Sequence, residues 1–164
     1  MSRSLFALPT AFVLGVSMAI APLSPAQANR GSRCENAMSL ARGRIEQRYG
    51  ADVEKVFKFD ITSRRYRVVV DQNGRRRPAA YQFDLKFSPG TRNFMYSPVL
   101  MKSFAQDIAN HCGDAAMVTF NTFSEIPWYT VFGVDQNLKM FQFRCNDDAA
   151  SQQVIPWGII PHCE

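Results

Sequence analysis

The sequence has few of the features that mark an enzyme. It contains no G-x-S-x-G, H-E-x-x-H, P-loop or dinucleotide-binding G-x-G-x-x-G motif. Its four cysteines form no C-x-x-C pair, which argues against a thiol redox enzyme. Histidine is scarce, with only His111 and His162 among 164 residues. The sequence therefore indicates no particular reaction, and non-enzymatic binding is the favoured class of function.

The two histidines leave one enzymatic alternative open. A small, basic, secreted and disulfide-bonded protein could be a ribonuclease, with His111 and His162 as acid and base and an arginine holding the phosphate. The pairs His111-Cys112 and His162-Cys163 could also offer two nitrogen and two sulfur ligands to zinc. Adjacent residues rarely point at one ion, so we expect neither a metal nor a cofactor.

The sequence has one long apolar run, and it lies at the N-terminus. Arg3 precedes the run Leu5–Ala21, and the triplet Ala26-Gln27-Ala28 follows it. This pattern is typical of a secretory signal peptide, 1–28, cleaved after Ala28. An uncleaved membrane anchor is the alternative, although 17 residues only just reach across a bilayer. We predict a secreted or periplasmic protein whose mature part, 29–164, is one domain.

Four cysteines in so short a chain indicate an oxidising compartment. They allow three pairings. Cys34 lies at the start of one predicted helix and Cys112 at the end of another, so antiparallel packing of the helices would bring these two together. The expected disulfides are therefore Cys34–Cys112 and Cys145–Cys163, the second of which would attach the C-terminal tail to the last strand.

Two segments have the 3.6-residue period of amphipathic helices. The first is expected to begin at a capping box formed by Ser32 and Glu35 and to end at Gly50. The second is expected to be capped by Ser97 and to end at Gly113. The apolar stripe of the second helix consists of Met101, Phe104, Ala105, Ile108 and Cys112.

Elsewhere the apolar period changes to two, which predicts strands at 53–61, on both sides of Asn73-Gly74, and at 115–122, 128–134 and 138–144. Asn-Gly favours a two-residue type I′ hairpin. That turn would pair Tyr66 with Tyr81 and separate an apolar face from a basic one. The basic face and the hairpin tip give the predicted partner-binding residues Arg65, Arg67, Arg75, Arg76, Arg77 and Lys86.

The two halves of the chain look related. Val70-Asp71-Gln72-Asn73 recurs as Val134-Asp135-Gln136-Asn137, and Tyr81-Gln82-Phe83 returns as Phe141-Gln142-Phe143. We predict a tandem duplication of a helix and three strands, with half-repeats 32–90 and 97–145 and a tail 146–164, although convergence of hairpin sequences is the alternative.

The expected fold is α+β, with two helices packed on one face of an antiparallel sheet and disulfides joining the elements. The order of one helix followed by three strands is similar to that of PepSY modules and of secreted β-lactamase-inhibitor-like proteins. This resemblance is one of element order, and it implies a protein that acts by binding another protein.

Charge is distributed unevenly along the mature chain. Residues 29–102 hold 16 Lys and Arg against 7 Asp and Glu, whereas residues 103–164 hold 2 against 7. Most of the basic residues are arginines, whose guanidinium group grips carboxylate, phosphate or sulfate through two hydrogen bonds. The alternative is a solvated surface that protects an edge strand. We therefore expect an anionic partner, a protein or a polyanion, at the arginine-rich hairpin.

Overall fold

The computed structural model describes residues 25–123 and 128–162. This part of the chain has a mixed α+β fold with three helices and a five-stranded sheet. The helices are α1 (Pro25–Tyr49), α2 (Pro89–Met95) and α3 (Pro98–His111). The strands are β1 (Val53–Asp60), β2 (Val69–Val70), β3 (Arg76–Arg77), β4 (Ala79–Lys86), β5 (Ala115–Phe123), β6 (Trp128–Val134), β7 (Met140–Gln142), β8 (Arg144–Cys145) and β9 (Ile159–Ile160). Two 3₁₀ turns are Ile61–Arg64 and Asp147–Ser151.

The main sheet has the strand order β1-β4-β5-β6-β7. Its neighbouring strands are antiparallel except β4 and β5, which are parallel. The prediction of an antiparallel sheet is wrong at this central pair. The chain passes through α2 and α3 between β4 and β5, and a crossover of that length lets the second strand run in the same direction as the first. Strands β1 and β7 form the two edges.

The start of α1 differs from the prediction. The helix begins at Pro25, so the backbone at Ser32 is already helical and the predicted capping box is wrong, because a cap residue lies outside the helical turns. The helix ends at Tyr49, and Gly50 follows with a φ of 64°, the left-handed conformation that commonly terminates helices. The predicted cleavage site after Ala28 falls in the first turn of α1, and residues 1–24 of the predicted signal peptide lie outside the described residues.

The second predicted helix is confirmed as α3, which starts directly after Ser97, but the Ser97 side chain makes no capping hydrogen bond. The short helix α2 was not predicted from the sequence. Its signal was Ser88-Pro89: the Ser88 hydroxyl accepts a hydrogen bond of 3.0 Å from the Thr91 N–H, and Pro89 occupies the first helical position.

Aromatic rings on one side of the sheet contact the helices. Phe83 of β4 stacks on Phe120 of β5 with a centroid distance of 5.4 Å. Phe94 of α2 meets Phe120 at 5.3 Å, and Phe104 of α3 meets Phe94 at 5.9 Å. We call this side of the sheet the helix face. Because side chains of a strand alternate, the residues next to Phe83 and Phe120 in sequence point to the opposite face.

The hairpin between β2 and β3 turns through the loop Asp71–Arg75, in which three residues, 72–74, lie between the last paired ones, whereas the predicted turn had two. Val70 pairs with Arg76, the N–H of Asp71 donates to the Arg75 carbonyl, and Gly74 has a φ of 71°. The Asp71 carboxylate accepts the backbone N–H groups of residues 73 and 75, which stabilises this longer loop. The extra loop residue shifts the predicted register by one.

The predicted pairing of the chain beyond the hairpin is also wrong. Tyr81 does not pair with Tyr66, because β4 leaves the hairpin and pairs with β1 and β5. In this register Tyr81 lies opposite Lys58 of β1. The strand that the sequence placed in a long hairpin is therefore an interior strand of the main sheet.

The disulfide Cys34–Cys112 is confirmed and joins α1 to the end of α3. Cys145 is also disulfide-bonded, and its predicted partner Cys163 lies outside the described residues. Over the ranges given above, no helix combines the length and the apolar character needed to cross a membrane.

Candidate functional site

The six predicted partner-binding residues do not share one surface. Arg77 is buried, with 4% of its side chain exposed, and its Nε lies 3.4 Å from a carboxylate oxygen of Asp71. Its Nη1 donates to the carbonyl groups of Ala109 and Ala115 at 3.2 and 2.9 Å. The prediction that Arg77 lies at an exposed tip is wrong, because this guanidinium joins the hairpin to α3 and β5.

Three of the other predicted residues lie apart from the hairpin tip. Arg65 donates to the carbonyl groups of residues 150 and 152, each at 3.1 Å, and so holds the C-terminal 3₁₀ turn. Arg67 lines a separate cavity beside Trp157. Lys86, at the far end of β4, lies 3.3 Å from the Asp52 carboxylate. Only Arg75 and Arg76 remain together.

Arg75 and Arg76 line a groove of 910 Å³ at the edge of the main sheet. One wall is a face of α1 formed by residues 31, 34, 35 and 38, whose spacing places them on one side of a helix. Strand β1 contributes Val56, Phe57 and Lys58 to the lining. We call this feature the β1 groove.

The β1 groove follows the free edge of β1. Lys58 lies on the helix face, in register with Tyr81, whereas Phe57 points to the opposite face. Because side chains from both faces line the groove, it runs along the edge itself. Strand β1 pairs with β4 on one side, and no described strand pairs with its other side. Its outward backbone groups are open to a further strand except at Val53, whose carbonyl oxygen accepts a hydrogen bond of 2.9 Å from Arg42 of α1.

A charged cluster lies where the groove meets the disulfide. The Lys58 ammonium is 2.5 Å from Asp114, and the Tyr81 hydroxyl donates to the same carboxylate at 3.1 Å. The hydroxyl is also 3.2 Å from the Cys34 sulfur. The hydrogen bond to Asp114 raises the pKa of Lys58, and burial raises the pKa of Tyr81. Both groups therefore stay protonated at neutral pH, and Lys58 and Asp114 neutralise each other.

The remaining charge of the groove is positive. Arg75 and Arg76 are exposed, and neither forms an ion pair in the part of the chain that the structure describes. Glu35 is the other acidic residue of the lining. Apolar surface lies beside these charges, since Phe57 is 42% exposed and Val56 is 36% exposed. The groove can therefore bind a ligand that carries negative charge next to apolar groups.

The structure does not bring the two histidines into one cleft. His111 lies in the last turn of α3, where its Nδ1 is 2.8 Å from the Asp107 carbonyl oxygen. His162 lines a cavity on the opposite face of the sheet, beside Thr119 and Tyr129. An acid and a base on opposite sides of the sheet cannot act on one phosphate, so the geometry gives the ribonuclease alternative no support.

The four-ligand zinc alternative is wrong, because Cys112 is bonded to Cys34. Within 25–123 and 128–162, no group of three or more His, Cys, Asp and Glu side chains could hold a metal ion. The cluster of Lys58, Tyr81 and Asp114 was not predicted from the sequence. Its members come from three separate segments, and only the pairing of β1 with β4 brings the first two together.

Comparisons with known proteins find no match among families, curated proteins or solved structures. The likeness in element order to PepSY modules and β-lactamase-inhibitor-like proteins gains no support from them. The function is therefore argued from the β1 groove alone.

Proposed function

We propose that this chain is a non-enzymatic binding module that engages an anionic partner through the β1 groove. The observation that carries the proposal is the adjacent pair Arg75 and Arg76, exposed and without an ion pair among the described residues, beside an open strand edge. A guanidinium group binds a carboxylate or phosphate through two charge-assisted hydrogen bonds. Exposed Phe57 supplies apolar contact beside the charges.

The proposed compartment is the periplasm or the cell exterior, reached through the signal peptide 1–28. The disulfide Cys34–Cys112 and the disulfide-bonded Cys145 support it, because such bonds persist in oxidising compartments. Cleavage after Ala28 would leave a shorter α1 that begins near Asn29. Cys34 lies in the next turn and would hold this shortened end to α3.

We also infer that the two halves, 32–90 and 97–145, arose by tandem duplication. The hairpin loops Asp71–Arg75 and Asp135–Lys139 support this inference. In each loop the aspartate carboxylate accepts hydrogen bonds from the backbone N–H groups two and four residues later in the chain. The N···O distances are 2.9 and 3.0 Å for Asp71, and both are 2.8 Å for Asp135. The fourth residue of each loop is left-handed, with a φ of 71° at Gly74 and 63° at Leu138.

The binding proposal is tested with the full-length secreted protein on immobilised heparin and on immobilised polyglutamate. The double variant Arg75→Gln/Arg76→Gln should bind at least one of these probes about tenfold more weakly than the wild type, since it loses two charge-assisted contacts. Added salt should weaken wild-type binding. Exposed charges contribute little stability, so the thermal midpoint should not change.

The matched control is Arg44→Gln/Arg48→Gln, which removes the same charge from α1 at a different cavity. It should lower the affinity by less than about twofold, because salt screens the interaction of the bound anion with charges that lie far from it. Equal losses in both double variants would show that net charge alone causes the binding. Failure of the wild type to bind either probe would overturn the proposed function.

A further inference from the structure

We propose that the partner segment binds as an extended acidic strand that adds to the free edge of β1. This inference rests on the proposed function and names the partner of the same groove: a peptide segment that alternates acidic and apolar residues. Its affinity would come from main-chain hydrogen bonds and its specificity from the side chains that line the groove.

The open edge of β1 is long enough to pair with a further strand. Strand β1 has eight residues, which extend about 26 Å, and its residues 54–58 are all exposed. It contains no proline, so every residue carries a backbone N–H. The other edge strand of the main sheet, β7, has three residues. Among the described strands, β1 is therefore the edge with room for a further strand.

The shape of the β1 groove favours an extended chain as the occupant. Because Lys58 and Phe57 point to opposite faces and both line it, the groove is centred on the strand edge and not on either face. A segment lying in it would be confined by α1, β1 and the hairpin tip. Confinement of this kind favours an extended chain parallel to β1, since a helix is about 10 Å wide and would contact only one face.

The charges of the β1 groove complement those of an acidic strand. Successive side chains of an added strand alternate between the two faces. One set of side chains would face Arg75, Arg76 and the Lys58–Asp114 pair, and carboxylates there would meet two guanidinium groups that form no ion pair with any described residue. The other set would face Phe57, which is 42% exposed, and apolar residues there would cover its ring. Alternating acidic and apolar residues satisfy both faces.

The test uses an octapeptide of alternating Glu and Val with blocked termini. We expect it to bind the wild-type protein and to bind Arg75→Gln/Arg76→Gln about tenfold more weakly. Two analogues carry backbone N-methyl groups, one on the four central residues and the other on the two residues at each end. In a strand, successive N–H groups point to opposite edges, so each analogue loses donors on both edges whichever way the strand runs. The centrally methylated analogue should therefore lose at least about tenfold in affinity, measured by calorimetry.

The outcomes separate this inference from the function on which it rests. If both analogues bind as tightly as the parent peptide, strand addition is overturned while anionic binding stands. If heparin, polyglutamate and the octapeptide all fail to bind, the proposed function itself is wrong. Sedimentation experiments could also reveal a dimer of the protein that persists when the octapeptide is added. Such a dimer would show that a second copy of the chain occupies the edge of β1, and this would overturn the inference.

Discussion

The backbone N–H of Gln72 donates a hydrogen bond of 3.2 Å to the carbonyl oxygen of Gln136. The two residues occupy equivalent positions in the hairpin loops Asp71–Arg75 and Asp135–Lys139, so the loops touch through corresponding residues. The contact fixes the first loop against the second half of the chain. It thereby holds Arg75, the last residue of that loop, at the mouth of the β1 groove.

The left-handed residue of each loop should respond to substitution in opposite directions. Leu138 has a φ of 63°, a conformation that strains an L-residue by about 1–2 kcal/mol. Leu138→Gly should therefore raise the free energy of unfolding by about 1 kcal/mol, measured in urea. Gly74→Val should lower it by about 1–2 kcal/mol, because a β-branched residue resists the φ of 71°. Unchanged midpoints for both variants would contradict the loop geometry.

The buried guanidinium of Arg77 should be important for stability. Arg77→Met removes the cation beside Asp71 and the donor to the carbonyl groups of Ala109 and Ala115. We expect a loss of about 3 kcal/mol in the free energy of unfolding. Arg67→Met, at an exposed position, is the control and should change it by less than about 0.5 kcal/mol. Similar small effects of both variants would show that Arg77 is not buried as described.

The same loop should make stability depend on acid pH. Hydrogen bonds from the backbone N–H groups of Arg75 and Asn73, and then the Arg77 guanidinium, lower the pKa of Asp71 from its usual 3.8. A carboxyl group with a lowered pKa in the folded state contributes stability above its unfolded pKa and loses that contribution as the pH falls through the folded pKa. The urea midpoint should therefore fall below about pH 4. Asp71→Asn should flatten this decline, and an unchanged decline would contradict the assignment.

The two disulfides give a chemical test of the fold. Peptide mapping without reduction should recover Cys34 linked to Cys112 and Cys145 linked to Cys163. The first bond spans 78 residues, so Cys34→Ala/Cys112→Ala should lower the free energy of unfolding by about 4 kcal/mol. Recovery of Cys34 linked to Cys145 or Cys163 would contradict the contact between α1 and the end of α3.

Much of the local structure could be predicted because it depends on short-range patterns. Helix α3 is predicted by the period of its apolar residues and by Ser97-Pro98 at its start. Strands β1 and β6 are predicted by the alternation of apolar and polar residues. The pairing of the strands could not be predicted in this way. Asn73-Gly74 marks a turn, but the length of the loop depends on the hydrogen bonds to the Asp71 carboxylate, and one added residue changes the register.

The site was predictable only in part. Arg75 and Arg76 stand out in the sequence as members of a basic run, but so does Arg77. The neighbouring residues in the sequence do not indicate that Arg77 is buried and bonded to Asp71 and two carbonyl groups. The open edge of β1 depends on which strands pair with β4, a long-range choice. The groove therefore emerges only when distant segments are packed together.

The most direct test of the account is a nuclear magnetic resonance titration of the ¹⁵N-labelled protein with polyglutamate. If the β1 groove is the site, chemical-shift changes should be confined to residues 31–38, 53–58, 75–76 and 113–114, and they should disappear in the Arg75→Gln/Arg76→Gln variant. Changes of equal size around Arg65 and Arg67, or at Arg42, Arg44 and Arg48 of α1, would show that the anion contacts the basic surface at large, and the central claim would be wrong.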